Sequence, residues 1–204
     1  MFFNPRVCRW TIFLYTLFFL MSCSAPKNNL PQNLDLNNGD IIFRRGGSAM
    51  SFCVRAVDDK GFYTHIGIAA EINGKFYAIH SVPDEVPTGD FDRVKMEPIN
   101  DFFEDDKALN GAVYRTKFSA EDLKIVTDET LRFYEKKVPF DDSYNIEDST
   151  EIYCSELLVR SFDKINYDIT AGNFTNLNIA LFTGKHILPS DILMNEELKL
   201  IYSY

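Results

Sequence analysis

The chain places one cysteine where it could act as a nucleophile. Cys154 lies at the predicted N-terminus of an amphipathic helix, within the run Tyr153-Cys154-Ser155-Glu156. The first-turn amides and the positive end of the helix dipole favour thiolate over thiol, which lowers a cysteine pKa. Free cysteine is also one of the most buried residue types, so simple packing is the alternative. The choice between the two depends on a base elsewhere in the chain.

Two of the three histidines are candidates for that base. His65 opens one β-prone run and His80 ends the next, and the runs are joined through Asn73-Gly74, a strong hairpin signal. Since residues of paired strands lie side by side, we expect His65 and His80 to be neighbours. The third histidine, His186, falls in a predicted loop.

These residue types predict cysteine hydrolysis. In this interpretation Cys154 is the nucleophile, His65 is the general base and then the acid, and His80 orients His65. Backbone amides at the start of the Cys154 helix would hold the oxyanion. The rival interpretation is a zinc site of the same three residues, which lacks a fourth ligand and the paired spacings of structural zinc. We therefore expect no metal and no cofactor.

The surrounding segments predict one mixed α and β domain that positions these side chains. Residues 39–43 indicate a turn into a buried strand, and residues 48–57 a helix in which Cys53 is expected to be core. Residues 94–96 and 112–116 predict further strands of the hairpin's sheet. Ser119 is the expected N-cap of a helix that runs to about residue 137.

The N-terminus predicts secretion. Arg6 and Arg9 precede an apolar run at 11–21 that is too short to span a bilayer, which is typical of a signal sequence. The next segment, Leu20-Met21-Ser22-Cys23, resembles a bacterial lipobox, in which Cys23 is acylated. An ordinary cleaved signal or a retained anchor is the alternative. We expect a lipoprotein signal peptide at 1–22, a lipid-anchored polar tether at 23–36 and the hydrolase domain at 37–204. The protein is then anchored in the cell envelope, with its domain outside the cytoplasm.

The net charge limits the binding partners that the sequence predicts, and the cysteine count limits the possible disulfide bonds. The net charge of −9 makes nucleic acid an unsuitable general partner, and we expect a monomer whose only membrane contact is the N-terminal lipid. Of four cysteines, the signal removes Cys8 and lipidation uses Cys23. The remaining pair, Cys53 and Cys154, is not a disulfide scaffold, and a bridge between them would silence the nucleophile.

Four segments, in chain order, resemble the signature of YiiX-like, circularly permuted NlpC-type cysteine hydrolases. They are Gly-Asp-Ile-Ile-Phe at 39–43, Thr-His-Ile-Gly-Ile at 64–68, Tyr-Cys-Ser-Glu-Leu at 153–157 and Pro-Ser-Asp-Ile at 189–192. In ordinary NlpC-type enzymes the cysteine precedes the histidine, whereas here His65 precedes Cys154. The resemblance implies a papain-like α+β fold, in which an antiparallel sheet packs against the helix that carries the cysteine. It also implies Cys154 as nucleophile and His65 as base.

The third site residue departs from that family's pattern. YiiX-like chains often have a glutamate in the second hairpin strand, where this chain has His80. The segment around His80, residues 77–83, is more similar to the lecithin:retinol acyltransferase group, whose triad is Cys-His-His and whose substrates are lipids. A histidine can still orient His65, with a different effect on its pKa.

The residues expected to bind the oxyanion and the substrate differ from those of many NlpC-type enzymes. Many NlpC-type enzymes have a tyrosine where this chain has Phe140, which cannot donate a hydrogen bond. Tyr144 and Tyr153 are the candidate substitutes, with aromatic packing as the alternative. Asp40 either contacts substrate or closes its own turn. Arg44 either grips an acidic substrate group or is a solvated loop charge.

The expected function is a lipid-anchored cysteine hydrolase that cleaves an amide bond through an acyl-enzyme on Cys154. The substrate is expected to be a cell-wall peptide or an N-acyl amino compound. One alternative is a lipid-directed acyl hydrolase or acyltransferase. The other is a non-catalytic binding lipoprotein that uses the same groove.

Overall fold

The computed structural model describes residues 27–87, 89–148, 150–179 and 182–204. The predicted signal sequence and Cys23 lie outside these ranges. The elements are, in chain order, β1 Ile41–Arg45, α1 Ala49–Val57, β2 His65–Ile72, β3 Lys75–Val82, β4 Arg93–Pro98, α2 Ile99–Phe102, β5 Asn110–Arg115, α3 Ala120–Glu135, α4 Cys154–Phe162, β6 Thr175–Ile179, β7 Phe182–His186, α5 Pro189–Leu193 and β8 Lys199–Ser203.

An antiparallel sheet of six strands organises the described part of the chain, in the order β4-β3-β2-β1-β5-β8. The predicted hairpin is confirmed as β2 and β3. Asn73 and Gly74 have φ of 52° and 74°, as a two-residue turn with both central residues at positive φ requires. A separate hairpin, β6–β7, was not predicted.

Both faces of the large sheet are covered by apolar side chains, because successive residues of a strand point to opposite faces. On one face Phe43, Ile66 and Ile68 pack with Leu158 and Phe162 of α4. On the other face the residues in contact are Ile42, Ala69, Ala78, Phe102, Phe103 and Leu30. The expected α+β fold, with an antiparallel sheet against the cysteine helix, is confirmed.

The segment expected to be a polar tether packs onto the domain from Lys27 onward. Leu30 is only 6 % exposed and packs in the apolar cluster on the sheet face opposite α4, with Phe102 and Phe103. The backbone N–H of Asn29 donates to the Phe103 carbonyl at 3.3 Å, and the Tyr202 hydroxyl donates to the Asn29 carbonyl at 3.0 Å. This stretch is therefore part of the folded domain.

Helix α1 lies at the surface. The helix predicted at 48–57 is present, and Ser48 is its N-cap, with its Oγ accepting from the Ser51 N–H at 3.2 Å. None of the residues of α1 is buried, and Phe52 is 70 % exposed. The prediction that Cys53 is core is wrong, because α1 does not pack on the sheet and leaves this thiol exposed. Within the described ranges, no helix has the length and apolar character needed to cross a bilayer.

Candidate active site

Cys154 is the first residue of α4, which packs against β2 and β3. Its Sγ lies 3.9 Å from the Ser155 hydroxyl and near the Ile66 amide. Burial raises the pKa of the Cys154 thiol, although the Ser155 hydroxyl and these amides act in the opposite direction. The expected lowering of this pKa by the helix terminus is therefore outweighed, and the resting group is a thiol.

The two hairpin histidines are in direct contact, as predicted. Nε2 of His65 and Nδ1 of His80 are 2.7 Å apart, and the residues are 7 % and 0 % exposed. Burial, followed by the charge of Arg44, lowers the pKa of His65 well below its usual value. Burial also lowers the pKa of His80 to about 4, although a hydrogen bond with Glu97 opposes this. Both imidazoles are therefore neutral at neutral pH.

Glu97 extends the contact by one residue and was not predicted. Its Oε1 lies 3.0 Å from Nε2 of His80. Burial alone would raise the pKa of this carboxyl, but the hydrogen bond with His80 and the charge of Lys95 hold it well below the usual value. The signal in the sequence is the alternation of Val94, Lys95, Met96 and Glu97, which puts both charged residues on one face of the strand.

A buried ion network surrounds Glu97. The Nζ of Lys95 is 3.0 Å from a carboxylate oxygen of Glu85 and 3.0 Å from one of Glu97, and the Nζ of Lys107 is 3.2 Å from Glu97. Arg44 is 3 % exposed and pairs with Glu85. Arg44 is therefore not a solvated loop charge, and its guanidinium is committed to this network.

This network does not fit a metal ion. His80, Glu85 and Glu97 offer ligand atoms within 4.8 Å of one another. However, the ammonium of Lys95 bridges the two carboxylates, and Arg44 and Lys107 add two further positive charges. A divalent cation would have to displace or repel these cations, so we interpret the cluster as a set of ion pairs.

Cys154 and His65 line the same cleft although their side chains start from different faces of the sheet. Ile66 packs on the face that carries α4, so its neighbour His65 starts from the opposite face, where its ring lies 5.8 Å from that of Phe102. His65 is the first residue of β2, at the end of the strand. Its imidazole and Cys154 therefore line one cleft at the sheet end, a cavity of about 230 Å³. Among the hydrogen bonds of the described residues, none joins Cys154 Sγ to His65.

Gly67 leaves the space that His80 occupies. A Cβ at this position would lie 3.0 Å from the His80 Cβ and 3.0 Å from the Ile79 carbonyl oxygen. Both distances are shorter than ordinary van der Waals contacts. Glycine at position 67 thus allows β3, and with it the His80 side chain, to lie this close to β2.

An apolar pocket of about 220 Å³ adjoins the cleft, and Met50, Val54 and Tyr144 line both. Its other lining residues come from α1, from the segment before α5 and from the β6–β7 hairpin, and include Val57, Leu177, Ile179, Phe182 and Leu188. The cleft itself also carries the charged residues Arg44, Asp84, Glu85, Asp106 and Lys107. The combined space therefore has an apolar part and a charged part.

The tyrosine candidates have different positions. Tyr144 lines the cleft with Cys154 and Phe140, and its hydroxyl donates to the Met50 sulfur at 3.1 Å. Burial raises the pKa of Tyr144, so the hydroxyl keeps its proton. Tyr153 is 2 % exposed, and its hydroxyl accepts from the Ile187 N–H at 3.2 Å. Of the two, only Tyr144 has its hydroxyl on a weak acceptor that a substrate oxygen can replace.

Asp40 is a structural residue. It is 1 % exposed, and its carboxylate accepts two hydrogen bonds from Arg115, each of 2.8 Å, and one from the Asn37 N–H at 2.8 Å. It does not line the cleft. The expectation that Asp40 contacts substrate is corrected, since its acceptor capacity is used where it holds the turn before β1 against β5.

His186 was expected in a loop and instead ends β7. Its Nδ1 donates to the Tyr144 carbonyl at 2.9 Å, while Nε2 is buried and has no hydrogen-bond partner among the described residues. It lines the apolar pocket and belongs to no contact with Cys154 or His65 described above.

Comparison with known proteins places this geometry in a family. The family described as permuted papain-like amidase enzyme, YaeF/YiiX, C92 family, matches residues 35–202. The crystal structure of the metalloprotein yiiX from Escherichia coli O157:H7 is similar, with a TM-score of 0.67 and 17 % identity over 82 % of this chain and 97 % of that chain. No curated protein matches the sequence. The chain therefore belongs to the permuted papain-like amidase family of YaeF and YiiX, and is a hydrolase of the cysteine amidase type.

Proposed function

We propose that the protein hydrolyses an amide bond through an acyl-enzyme on Cys154, with His65 as base and His80 as the residue that orients it. The carrying observation is that Cys154 and His65 line one cleft, while the far side of the His65 ring is held by the 2.7 Å contact with His80. The Cys-His-His set has the residue types that nucleophilic acyl transfer requires.

The chemical steps follow from the protonation states. Neutral His65 takes the Cys154 proton as Sγ attacks the substrate carbonyl, and His65 then gives that proton to the leaving nitrogen as the C–N bond breaks. Water hydrolyses the thioester in the same way, with His65 accepting its proton and returning it to Sγ. Because burial raises the Cys154 pKa, the thiolate forms on attack rather than at rest.

Two groups are positioned to stabilise the oxyanion. Backbone amides at the N-terminus of α4 lie beside Cys154 and have no carbonyl partner within the helix. The Tyr144 hydroxyl can exchange its bond to the Met50 sulfur for one to a substrate oxygen. Tyr144 would thus supply the donor that Phe140 cannot.

For the substrate we propose an N-acyl amino compound. The apolar pocket behind Met50, Val54 and Tyr144 suits an acyl chain, in which each buried CH₂ contributes about 0.8 kcal/mol. The cleft's charged side chains, including Lys107 and Glu85, suit the polar amino part. A cell-wall peptide is the second candidate, because its charged groups also match this part of the cleft, but it would leave the apolar pocket unused.

The test offers both substrate classes to one preparation. The Cys53→Ser variant removes the other cysteine of the described residues, so an adduct that peptide mass spectrometry locates after residue 27 reports Cys154. We expect hydrolysis of N-acyl amino acids, with kcat/KM rising with chain length, and loss of turnover in Cys154→Ala and His65→Gln. Adding a charge in the pocket with Leu177→Asp should flatten the dependence on chain length.

Three outcomes would contradict the proposal in different ways. Cleavage of wall peptides with no response to acyl chains would reject the substrate class. Turnover of an ester or transfer to a second acceptor, without amide hydrolysis, would favour the acyltransferase alternative. Saturable binding without an adduct on Cys154 or any product would favour a non-catalytic binding protein.

We also propose that the chain is a lipoprotein attached through Cys23, which the lipobox supports. Since Lys27, the first described residue, already contacts Asp105, the anchor would lie within about 14 Å of Lys27, four residues at about 3.5 Å each. Cys23→Ala should move the protein from the membrane fraction to the soluble fraction. Unchanged partitioning would rule out this anchor.

A further inference from the structure

We propose that Glu97 is a positioning residue that selects the tautomers of His80 and His65, and so decides which nitrogen of His65 serves as the base. The inference rests on the proposed role of His65. It concerns a residue two hydrogen bonds away from His65's catalytic nitrogen, on the neighbouring strand β4.

The first step is fixed by the charge of Glu97. Its carboxylate lies 3.0 Å from the Lys95 Nζ and 3.2 Å from the Lys107 Nζ, and it is ionised. An ionised carboxylate only accepts hydrogen bonds. The atom 3.0 Å from its Oε1, Nε2 of His80, must therefore carry the proton and donate it.

The second step follows from neutrality. A neutral imidazole has one N–H and one acceptor nitrogen. With its proton on Nε2, His80 presents Nδ1 as an acceptor, so Nε2 of His65, 2.7 Å away, must donate. His65 then has its lone pair on Nδ1, and only this nitrogen is able to take the Cys154 proton.

The His65–His80 pair alone does not make this choice. The reverse arrangement, with a proton on Nδ1 of His80 donated to Nε2 of His65, satisfies the same contact. It would place the His65 proton on Nδ1, where the base has to be free, and so stop proton transfer from Cys154. Only the acceptor beyond His80 distinguishes the two arrangements.

Glu97 orients the chain without taking the proton. The Glu97 pKa is held well below its usual value, so the carboxylate stays an acceptor throughout. Its effect on the reaction is thus the tautomer it imposes, together with the fixed position of the His80 ring.

The experiment reads the tautomers directly, by ¹⁵N NMR of histidine-labelled full chain at neutral pH. In the native protein we expect Nε2 of both His65 and His80 to be protonated and Nδ1 of His65 to be free. In Glu97→Gln the amide oxygen should face the Lys95 and Lys107 ammonium groups, which contact Oε2 of Glu97 in the native protein. The NH₂ group then faces Nε2 of His80, so the reverse tautomers should appear at both histidines. On the substrate found above, kcat should fall by a larger factor than KM changes, because Glu97 itself does not line the cleft. The upper bound is about 10⁴-fold, the loss seen for a wrong tautomer in a serine protease.

Glu104→Gln is the matched control. It removes a carboxylate that lies 3.5 Å from the Lys107 Nζ, at the edge of the same ion network, and Glu104 makes no hydrogen bond to either histidine. We expect its tautomers and kcat to be those of the native protein. Glu97→Asp, which keeps the charge, should restore one tautomer to the extent that its shorter side chain reaches His80.

Several results would overturn the inference. One is a proton on Nδ1 of His65 in the native protein, a measurement that needs no variant to fold. Another is a single unchanged tautomer in folded Glu97→Gln, even with reduced activity, which would make Glu97 a structural residue. By contrast, the expected tautomers in a protein that hydrolyses no amide would reject the proposed function and leave the role of Glu97 intact.

Discussion

Gly67→Ala is the smallest change that should separate the two histidines. The added Cβ would lie 3.0 Å from the His80 Cβ and 3.0 Å from the Ile79 carbonyl oxygen, whereas ordinary carbon contacts are about 3.5–4.0 Å. Ile79 belongs to the centre of β3, so its carbonyl cannot move without disturbing the sheet. The β3 backbone at Ile79 and His80 must therefore shift by roughly a few tenths of an ångström and carry the His80 ring with it.

The magnitude follows from these distances. A shift of that size lengthens the His65–His80 contact from 2.7 Å toward the limit of about 3.2 Å for a good hydrogen bond and changes its angle. Overpacking costs about 1–3 kcal/mol, and replacing glycine by alanine recovers about 0.4–1 kcal/mol through the unfolded chain. We expect a net destabilisation of about 1–2 kcal/mol and a melting temperature lower by roughly 2–8 °C. Turnover should fall at least about tenfold, one unit of 1.36 kcal/mol in the activation barrier.

Gly74→Ala serves as the control at similar stability. Gly74 has φ of 74° and open space around its missing Cβ, so alanine strains the hairpin turn without touching His80. Calorimetry would rank the two variants, and proton NMR would follow the shared His65–His80 proton. The reasoning is refuted if Gly67→Ala retains that resonance and its native turnover, or if Gly74→Ala loses as much activity for the same loss of stability.

Three further predictions test other parts of the structure. Burial lowers the His80 pKa from 6.5 to about 4, so its contribution to stability is complete above pH 6.5 and is lost as the pH falls toward 4, by up to about 3 kcal/mol. Urea titrations at pH 7 and 4.5 should show a smaller loss in His80→Gln, and equal losses would contradict this. Leu30→Ala should cost about 2–5 kcal/mol in the same assay if residue 30 belongs to the core, and under about 0.5 kcal/mol if the segment is a free tether. In Cys53→Ser, iodoacetamide should label Cys154 at a rate that still rises above pH 9, because burial raises its pKa, whereas a plateau below pH 8 would indicate a resting thiolate.

The elements predicted from sequence were those with local causes. Asn73-Gly74 fixes the hairpin because two positive φ values define its turn, and the hairpin brings His65 and His80 together. Ser48 and Ser119 mark helix starts because their hydroxyls accept first-turn amides, as the structure confirms. Each of these signals is contained in a few consecutive residues.

The remaining features depend on which elements become neighbours. The alternation at 93–97 predicts that Lys95 and Glu97 share a face, but only the pairing of β4 with β3 brings Glu97 to His80. Likewise the Cys154 pKa depends on how deeply the cleft encloses Sγ, which the position of a helix start does not determine. Cys53 was assigned to the core from an apolar pattern, and the pattern holds no information on whether α1 meets the sheet.

The spacing of His65 and Gly67 has a geometric origin. Two residues apart on β2, they share a face of the sheet, and Gly67 makes room on that face for His80. A slip of one residue between β2 and β3 would turn either His65 or His80 to the α4 face and break the contact between these two histidines. The close approach at this point involves the His80 Cβ and the Ile79 carbonyl, so it reflects the spacing of β2 and β3 and not the size of the residue at position 80. A side chain at position 67 would push β3 away from β2 and carry the His80 ring away from His65.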